Sequence, residues 1–288
     1  MTSGLTERTA RWRDRGVPFD FRGHAIHVVE QSGEGPLRVL LHGFPSSSYD
    51  WRPLLETLPT SAAIAFDFLG FGLSDKPRDH DYSLVWQTDL TEAVVQHFAG
   101  ADAQVAIVAH DIGTSVATEL MARDLRGEGK IDIVAIAMLN GSIVQHLAHP
   151  TRAQRLLLSP VGAAVAKSMS EGTFRRGLGS IFSEAHPLTD EEAADQWSLV
   201  SYRGGHRIAH RLIQYMRERE RLADRWHGAF ADWPGDLSLV WGMADPVAHP
   251  GMLEALIELR PHVAVTRLDR IGHYPQIEAP GRVAALVP

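Results

Sequence analysis

Short apolar runs alternate along this chain with segments whose apolar positions recur at helical spacing. The runs near His24–Glu30, Leu37–Leu41, Ala62–Phe66, Gln104–Ala109, Ile131–Leu139, Leu237–Trp241 and Val263–Leu268 read as strands. Between them, Tyr49–Leu58, Leu84–Phe98, Thr114–Asp124 and Met252–Arg260 read as helices. Strands and helices in alternation predict a mostly parallel sheet covered on both faces, an α/β architecture. No internal repeat or low-complexity tract interrupts the pattern.

The alternation stops between about Ser142 and Trp226. No convincing strand occurs there; helix-like pieces follow one another at Arg152–Leu158, Asp190–Ser201 and Arg207–Trp226. The expected organisation is therefore a core domain of residues 1–141 and 227–288, interrupted by a helical cap at 142–226. A cap is favoured because the insertion leaves from the C-terminal end of a strand, where open α/β sheets bind ligands. The alternative is a separate helical domain with no part in chemistry.

Composition narrows the function classes. With 288 residues, 44% of them hydrophobic, the chain can bury one large core. Its net charge of −7 gives no support to a nucleic-acid partner. There is no cysteine, so thiol catalysis, disulfides and cysteine metal sites are excluded. The first residues lack the apolar stretch of a secretory signal, and no apolar run approaches the roughly 18 residues that span a membrane. The expectation is a soluble cytoplasmic protein without membrane or nucleic-acid partners, acting on a small apolar substrate, with a homodimer as one open assembly.

The chemistry gathers at strand ends. The apolar run Gln104–Ala109 leads through His110-Asp111-Ile112-Gly113 into a helical segment. Strand, tight turn and helix with a nucleophilic side chain at the apex make a nucleophile elbow, and here the apex residue is Asp111. Asp245 follows the Leu237–Trp241 strand, and His273 follows the last one. Nucleophile, acid and histidine in this order match the α/β-hydrolase triad. Each has a plainer reading alone: Asp111 as a helix N-cap, Asp245 with Pro246 as a turn start, His273 as a surface or hydrogen-bonded histidine. The other acid position, after the preceding strand, holds Asn140, which favours Asp245. After the Leu37–Leu41 strand comes His42-Gly43-Phe44-Pro45. The backbone N–H groups of Phe44 and Ile112 are candidates for an oxyanion hole, although Gly43 and Pro45 also suit a purely structural turn.

Four stretches carry a resemblance: His42–Arg52, Asp67–Pro77, His110–Gly113 and Gly272–Pro275. All are similar to the epoxide hydrolase and haloalkane dehalogenase branch of the α/β-hydrolases, and Gln214–Arg217 and Asp245–Val247 are similar to mesoderm-specific-transcript-like members. The resemblance implies an α/β-hydrolase fold with a helical cap inserted after the sixth strand. It implies Asp111 as nucleophile, Asp245 as orienting acid and His273 as base, with no cofactor and no metal.

An aspartate attacking an acyl ester would give a high-energy mixed anhydride; attacking saturated carbon, it gives an ordinary alkyl ester. Asp111 therefore points to epoxides or carbon–halogen bonds. Haloalkane dehalogenases place a Trp after the nucleophile to bind the halide, whereas Ile112 and Phe44 have no side-chain donor. Epoxide hydrolases use cap tyrosines on the ring oxygen. Tyr215 resembles the second of these, with core packing in an amphipathic helix as the alternative. The segment Ile143–Pro150 lacks the first, leaving His146, His149 or Tyr202 as substitutes. With His42, Pro45 and Tyr274, these complete the expected pocket. An epoxide hydrolase is the leading expectation. A haloalkane dehalogenase-like enzyme, a carboxylester or lactone hydrolase using Asp111 as base, and a non-catalytic binding protein are the alternatives. The charge run Arg217–Arg225 reads as a solvated helix face.

Overall fold

The computed structural model describes residues 4–100 and 102–288. After helix α1 (Glu7–Arg15), eight strands appear: β1 (Val17–Phe21), β2 (His24–Gln31), β3 (Glu34–Leu41), β4 (Ser61–Phe66), β5 (Gln104–His110), β6 (Asp132–Leu139), β7 (Asp236–Gly242) and β8 (Ala264–Leu268). They form one sheet in the order β1-β2-β4-β3-β5-β6-β7-β8. From β4 to β8 all pairings are parallel, while β1 and β2 run antiparallel at one edge.

Helices α2 (Arg52–Thr57), α3 (Leu84–Ala99) and α4 (Ile112–Asp124) connect the central strands. Successive side chains of a strand face opposite sides of the sheet, so uninterrupted apolar runs bury both. Val39, Leu41, Ile107 and Ala109 enter one core cluster. Leu40 and Val108, the residues between them, enter the other. That is why these strands read as continuous apolar runs rather than alternating ones.

Strand β1 was not expected from the pattern. Its sequence Val-Pro-Phe-Asp-Phe is largely exposed and contains Pro18, which is tolerated because β1 is an edge strand. The turn to β2 uses Arg22 and Gly23, both at positive φ, as a two-residue hairpin requires. The expected helix Tyr49–Leu58 is divided into a 3₁₀ turn at Ser48–Trp51 and α2.

Between β6 and β7 the chain is helical: α5 (Arg152–Leu158), α6 (Gly162–Ser168), α7 (Glu171–Gly179), α8 (Asp190–Ser201), α9 (Ala209–Leu212), α10 (Tyr215–Arg221) and α11 (Ala223–Asp232). The single expected helix Arg207–Trp226 is instead several short ones, preceded by a kink where Arg203 and Gly204 take positive φ. Helix α7 was missed because its sequence, Glu-Gly-Thr-Phe-Arg-Arg-Gly-Leu-Gly, has low helix propensity. A capping box between Ser170 and Thr173 starts it. The last helical piece, α11, continues beyond residue 226 to Asp232 and packs on α4. Helix α12 (Pro250–Leu259) and the short α13 (Pro275–Glu278) and α14 (Pro280–Ala284) complete the chain.

The charge run at 217–225 is a solvated face on one side only: Arg217, Glu220, Arg221 and Asp224 are exposed, while the other side turns inward. Glu218 accepts from the Ser83 hydroxyl and from the Leu84 N–H at the start of α3 (2.7 and 2.6 Å). Arg225 makes a two-pronged contact with Glu119 of α4 (2.9 and 2.8 Å), and the Trp226 indole donates to the same carboxylate (2.9 Å). Arg219 is buried as well. Charge density alone suggests solvent for the whole run; tertiary pairing across to α3 and α4 takes one side of it inward. No helix among the described residues is long and apolar enough to cross a membrane.

Candidate active site

Asp111 sits between β5 and α4 with φ 48° and ψ −112°. An L-residue rarely adopts this backbone; such strain costs on the order of 1–3 kcal/mol and persists only where the surroundings enforce it. Here the Asp111 N–H donates to the Leu139 carbonyl (3.3 Å), and its own carbonyl accepts from the Thr114 hydroxyl (2.6 Å). The neighbours must be small. A Cβ on Gly113 would meet the Leu41 carbonyl at 2.4 Å, and one on Gly43 would stand 2.9 Å from the Asp111 Cβ.

The turn after β3 faces this apex. The Phe44 N–H donates to Asp111 Oδ2 (2.8 Å), so this amide points at the carboxylate. His42 lies under the turn rather than in a pocket. It is fully buried; its Nε2 accepts from the Phe68 N–H (2.9 Å), which leaves Nδ1 to donate to the Gly43 carbonyl (2.8 Å). Burial holds its pKa low despite the charges of Asp67 and Asp111. The ring thus fixes the peptide that aims Phe44.

His273 and Asp245 meet in a 2.7 Å hydrogen bond from Nδ1 to Oδ2. Asp245 Oδ2 also accepts from the Asn140 amide (2.8 Å), and Oδ1 accepts from the Val247 N–H (2.7 Å). Asn140 is anchored in turn by a 2.7 Å bond from the Gly242 N–H. The residue at the alternative acid position therefore holds the acid in place. Beneath, His110 donates from Nε2 to the His273 carbonyl (2.7 Å); burial and the neighbouring His273 keep His110 well below its ordinary pKa, hence neutral.

Burial alone would lower the His273 pKa, but the Asp245 charge and hydrogen bond, helped by Asp111 and Glu278, raise it to about 8. The sign follows directly. As a base His273 works only when neutral, so a step that it catalyses should accelerate as pH rises through about 8 and then level off. An unperturbed histidine would give that midpoint near 6.5. Its imidazolium stabilises the fold fully below about pH 6.5, and this contribution is lost as pH rises through 8. Melting temperature should fall across that window in the wild type and stay flatter in His273→Gln, which a pH series of thermal melts would read.

Two cavities meet at Asp111. The larger, of about 540 Å³, extends beneath α5, α6 and α7; Phe44, Pro45 and His273 border it with Asp111, and most of its wall is apolar, including Leu157, Met169, Phe174 and Leu178. The smaller, of about 30 Å³, is bordered by Asp111, Ser142, His149, Gln154, Tyr215 and Arg219. Of the expected pocket residues, Pro45 and His149 border these cavities; His42, His146, Tyr202 and Tyr274 do not. Tyr274 is stacked on Phe182 (5.2 Å between centroids) and packed against His110. Tyr202 lies against Lys76 and Arg203, and His146 lies in the short 3₁₀ turn Gln145–Leu147. Tyr215 is buried, its ring 5.7 Å from that of Phe44, and burial with the nearby Asp111 charge pushes its pKa up. Among the described residues, no cluster of three or more His, Cys, Asp or Glu could hold a metal ion.

The residue that the sequence did not expose is Arg219. Its Nη2 donates to the Asp111 carbonyl (3.2 Å) and lies 3.8 Å from Asp111 Oδ1; its Nε donates to Ser115 (2.8 Å). Its position four residues after Tyr215, on the same helical face, was the signal available.

An eight-stranded, mostly parallel sheet with a strained carboxylate at an elbow, an Asp–His pair at the next strand ends and a helical insertion above them defines an α/β hydrolase. The chain belongs to the alpha/beta hydrolase family, whose model matches residues 39–286. It is 49% identical over 270 residues to LipZ of Mycobacterium tuberculosis (strain ATCC 25618 / H37Rv), covering 93% of each chain. It is 35% identical over 282 residues to the human mesoderm-specific transcript homolog protein, covering 93% of this chain and 83% of that one. Among solved structures, the haloalkane dehalogenase DbeA from Bradyrhizobium elkani is similar, with a TM-score of 0.77 and 25% identity over 94% of this chain and 96% of that one.

Proposed function

We propose that this hydrolase opens epoxides to vicinal diols through an ester of Asp111. The observation that carries the reading is a carboxylate, not a hydroxyl, at the elbow apex, with His273 and Asp245 bordering the same site. The insertion between β6 and β7 then acts as a cap whose α5–α7 face supplies the apolar wall of the large cavity and whose α10 supplies Tyr215.

In the first half-reaction an Asp111 oxygen attacks a ring carbon. The C–O bond breaks, its electron pair goes to the ring oxygen, and that oxygen takes the proton of the Tyr215 hydroxyl. In the second, neutral His273 takes a proton from water, and the hydroxide attacks the ester carbonyl. The Phe44 N–H, already bonded to Asp111 Oδ2, and the Ile112 N–H stabilise the oxyanion, worth roughly 2.7–4 kcal/mol per donor in comparable sites. The departing alkoxide takes the proton from His273; the Asp111 carboxyl proton restores Tyr215. Asp245 keeps Nδ1 protonated and stabilises the imidazolium.

The Trp and Asn N–H groups that similar dehalogenases use to hold a halide are missing from both cavity walls, whose side-chain donors include Arg219 instead. The dehalogenase activity named for DbeA is therefore not carried over. A single turnover in heavy-oxygen water with excess enzyme tests the scheme: the label should appear in the Asp111 side chain before it appears in diol. Label found only in product, with the side chain unlabelled, would mean that water attacks the substrate directly.

A further inference from the structure

The epoxide scheme above gives the strongly basic leaving alkoxide one proton donor, Tyr215, and a second donor would stabilise it further; Ile143–Pro150 contains no tyrosine to supply one. Two polar side chains, Tyr215 and Arg219, border the small cavity. The Tyr215 hydroxyl makes no hydrogen bond among the described residues. The guanidinium of Arg219, 6% exposed, spends Nε on Ser115 and Nη2 on the Asp111 carbonyl, while Nη1 takes no acceptor among the described residues. A buried guanidinium has five N–H donors and is costly to leave half-bonded. Its Cζ lies 4.7 Å from the centre of the Tyr215 ring. The cavity that both border, about 30 Å³, has room for roughly one water-sized group, whereas the carbon skeleton has about 540 Å³ in the larger cavity that also reaches Asp111.

We propose that Arg219 is a catalytic residue, the second electrophile that receives the epoxide oxygen in the small cavity beside Tyr215. This rests on the epoxide reading above. As the ring C–O bond breaks and Asp111 forms its ester, the Arg219 N–H groups bond the oxygen that gains the electron pair. Tyr215 passes its proton to that oxygen, and the fixed positive charge beside the ring stabilises the phenolate that remains. Arg219 keeps all its protons throughout, so atoms and charge balance as in the scheme already given. His149 borders the same cavity, but its ring is held against His249 at 4.5 Å, whereas Arg219 is bonded to the nucleophile's own carbonyl.

The test separates work on the leaving group from support of Asp111. In a His273→Gln background, where the ester accumulates, alkylation is timed by intact mass with styrene oxide and with 2-phenylethyl methanesulfonate, whose weakly basic leaving group needs no proton donor. Arg219→Lys should slow alkylation by styrene oxide about 100-fold, the loss seen on removing one well-placed donor, and alkylation by the sulfonate by no more than about threefold. Equal slowing of both, or of neither, would overturn the proposal; equal slowing would leave Arg219 as a support for Asp111. Ser115→Ala keeps the charge while releasing Nε, and covers the case in which Arg219→Lys fails to fold. It should slow only the epoxide, by about tenfold for a lost hydrogen bond to a charged group. Equal rates on the epoxide with and without Ser115 would count against it. If Arg219-intact enzyme forms no adduct with any epoxide, the epoxide reading itself fails, and this inference with it. An adduct whose rate ignores Arg219 sinks the inference alone.

Discussion

Asp111→Ala should lower kcat/KM for an epoxide at least about 10⁴-fold, on the scale seen when a covalent nucleophile is removed. Nothing else at the apex can replace it. The chain has no cysteine, and Ser115, one turn into α4, is bonded to Arg219. The loss should fall on kcat rather than on the fold. Asp111 is an N-cap position without a side-chain capping bond, and the strained backbone there is held by Leu139 and Thr114, not by the carboxylate. Steady-state kinetics with a circular-dichroism melt in parallel would check both halves. A variant within tenfold of wild type would transfer the chemistry to directly activated water.

His273→Gln should separate the two half-reactions. Alkylation of Asp111 needs no base, so the ester still forms; its hydrolysis loses the group that deprotonates water, a contribution of about 10²–10⁴-fold. Enzyme mixed with excess epoxide should gain the mass of one substrate, and the adduct should lie on Asp111 after proteolysis. The glutamine retains a donor toward Asp245, so the site is disturbed less than by a truncation. His273 is only 2% exposed, which makes the packing match important. An unmodified mass alongside full inactivation would place His273 in the first step and break the ester scheme.

The strands were legible because both faces of the sheet are covered, which makes Val39–Leu41 and Val105–Ala109 continuous apolar runs. The elbow was legible because Gly113 and the turn at Gly43 leave few alternatives for the chain. Chain order alone brought Asp111, Asp245 and His273 to one sheet edge. Other features depended on partners far away in sequence. Strand β1 is exposed and carries a proline, so no periodicity marks it. The face on which Arg219 lies depends on Ser115 and Asp111, more than 100 residues earlier. His42 belongs to the same motif set as Asp111 in sequence pattern and lies under the turn in space, because its two ring nitrogens are taken by Phe68 and Gly43. A residue's place within a motif gave its neighbourhood, and its hydrogen bonds decided which side of the wall it was on.

The bond from Arg219 to the Asp111 carbonyl joins the sheet to its helical insertion through a main-chain oxygen. The geometry at the apex is consequently not a property of β5 and α4 alone. A chain trimmed to the sheet and its flanking helices would keep the order of strands, yet its apex would have lost one of its three carbonyl restraints. Competence at Asp111 is thus shared between two parts of the molecule, and loosening either one slackens the same peptide.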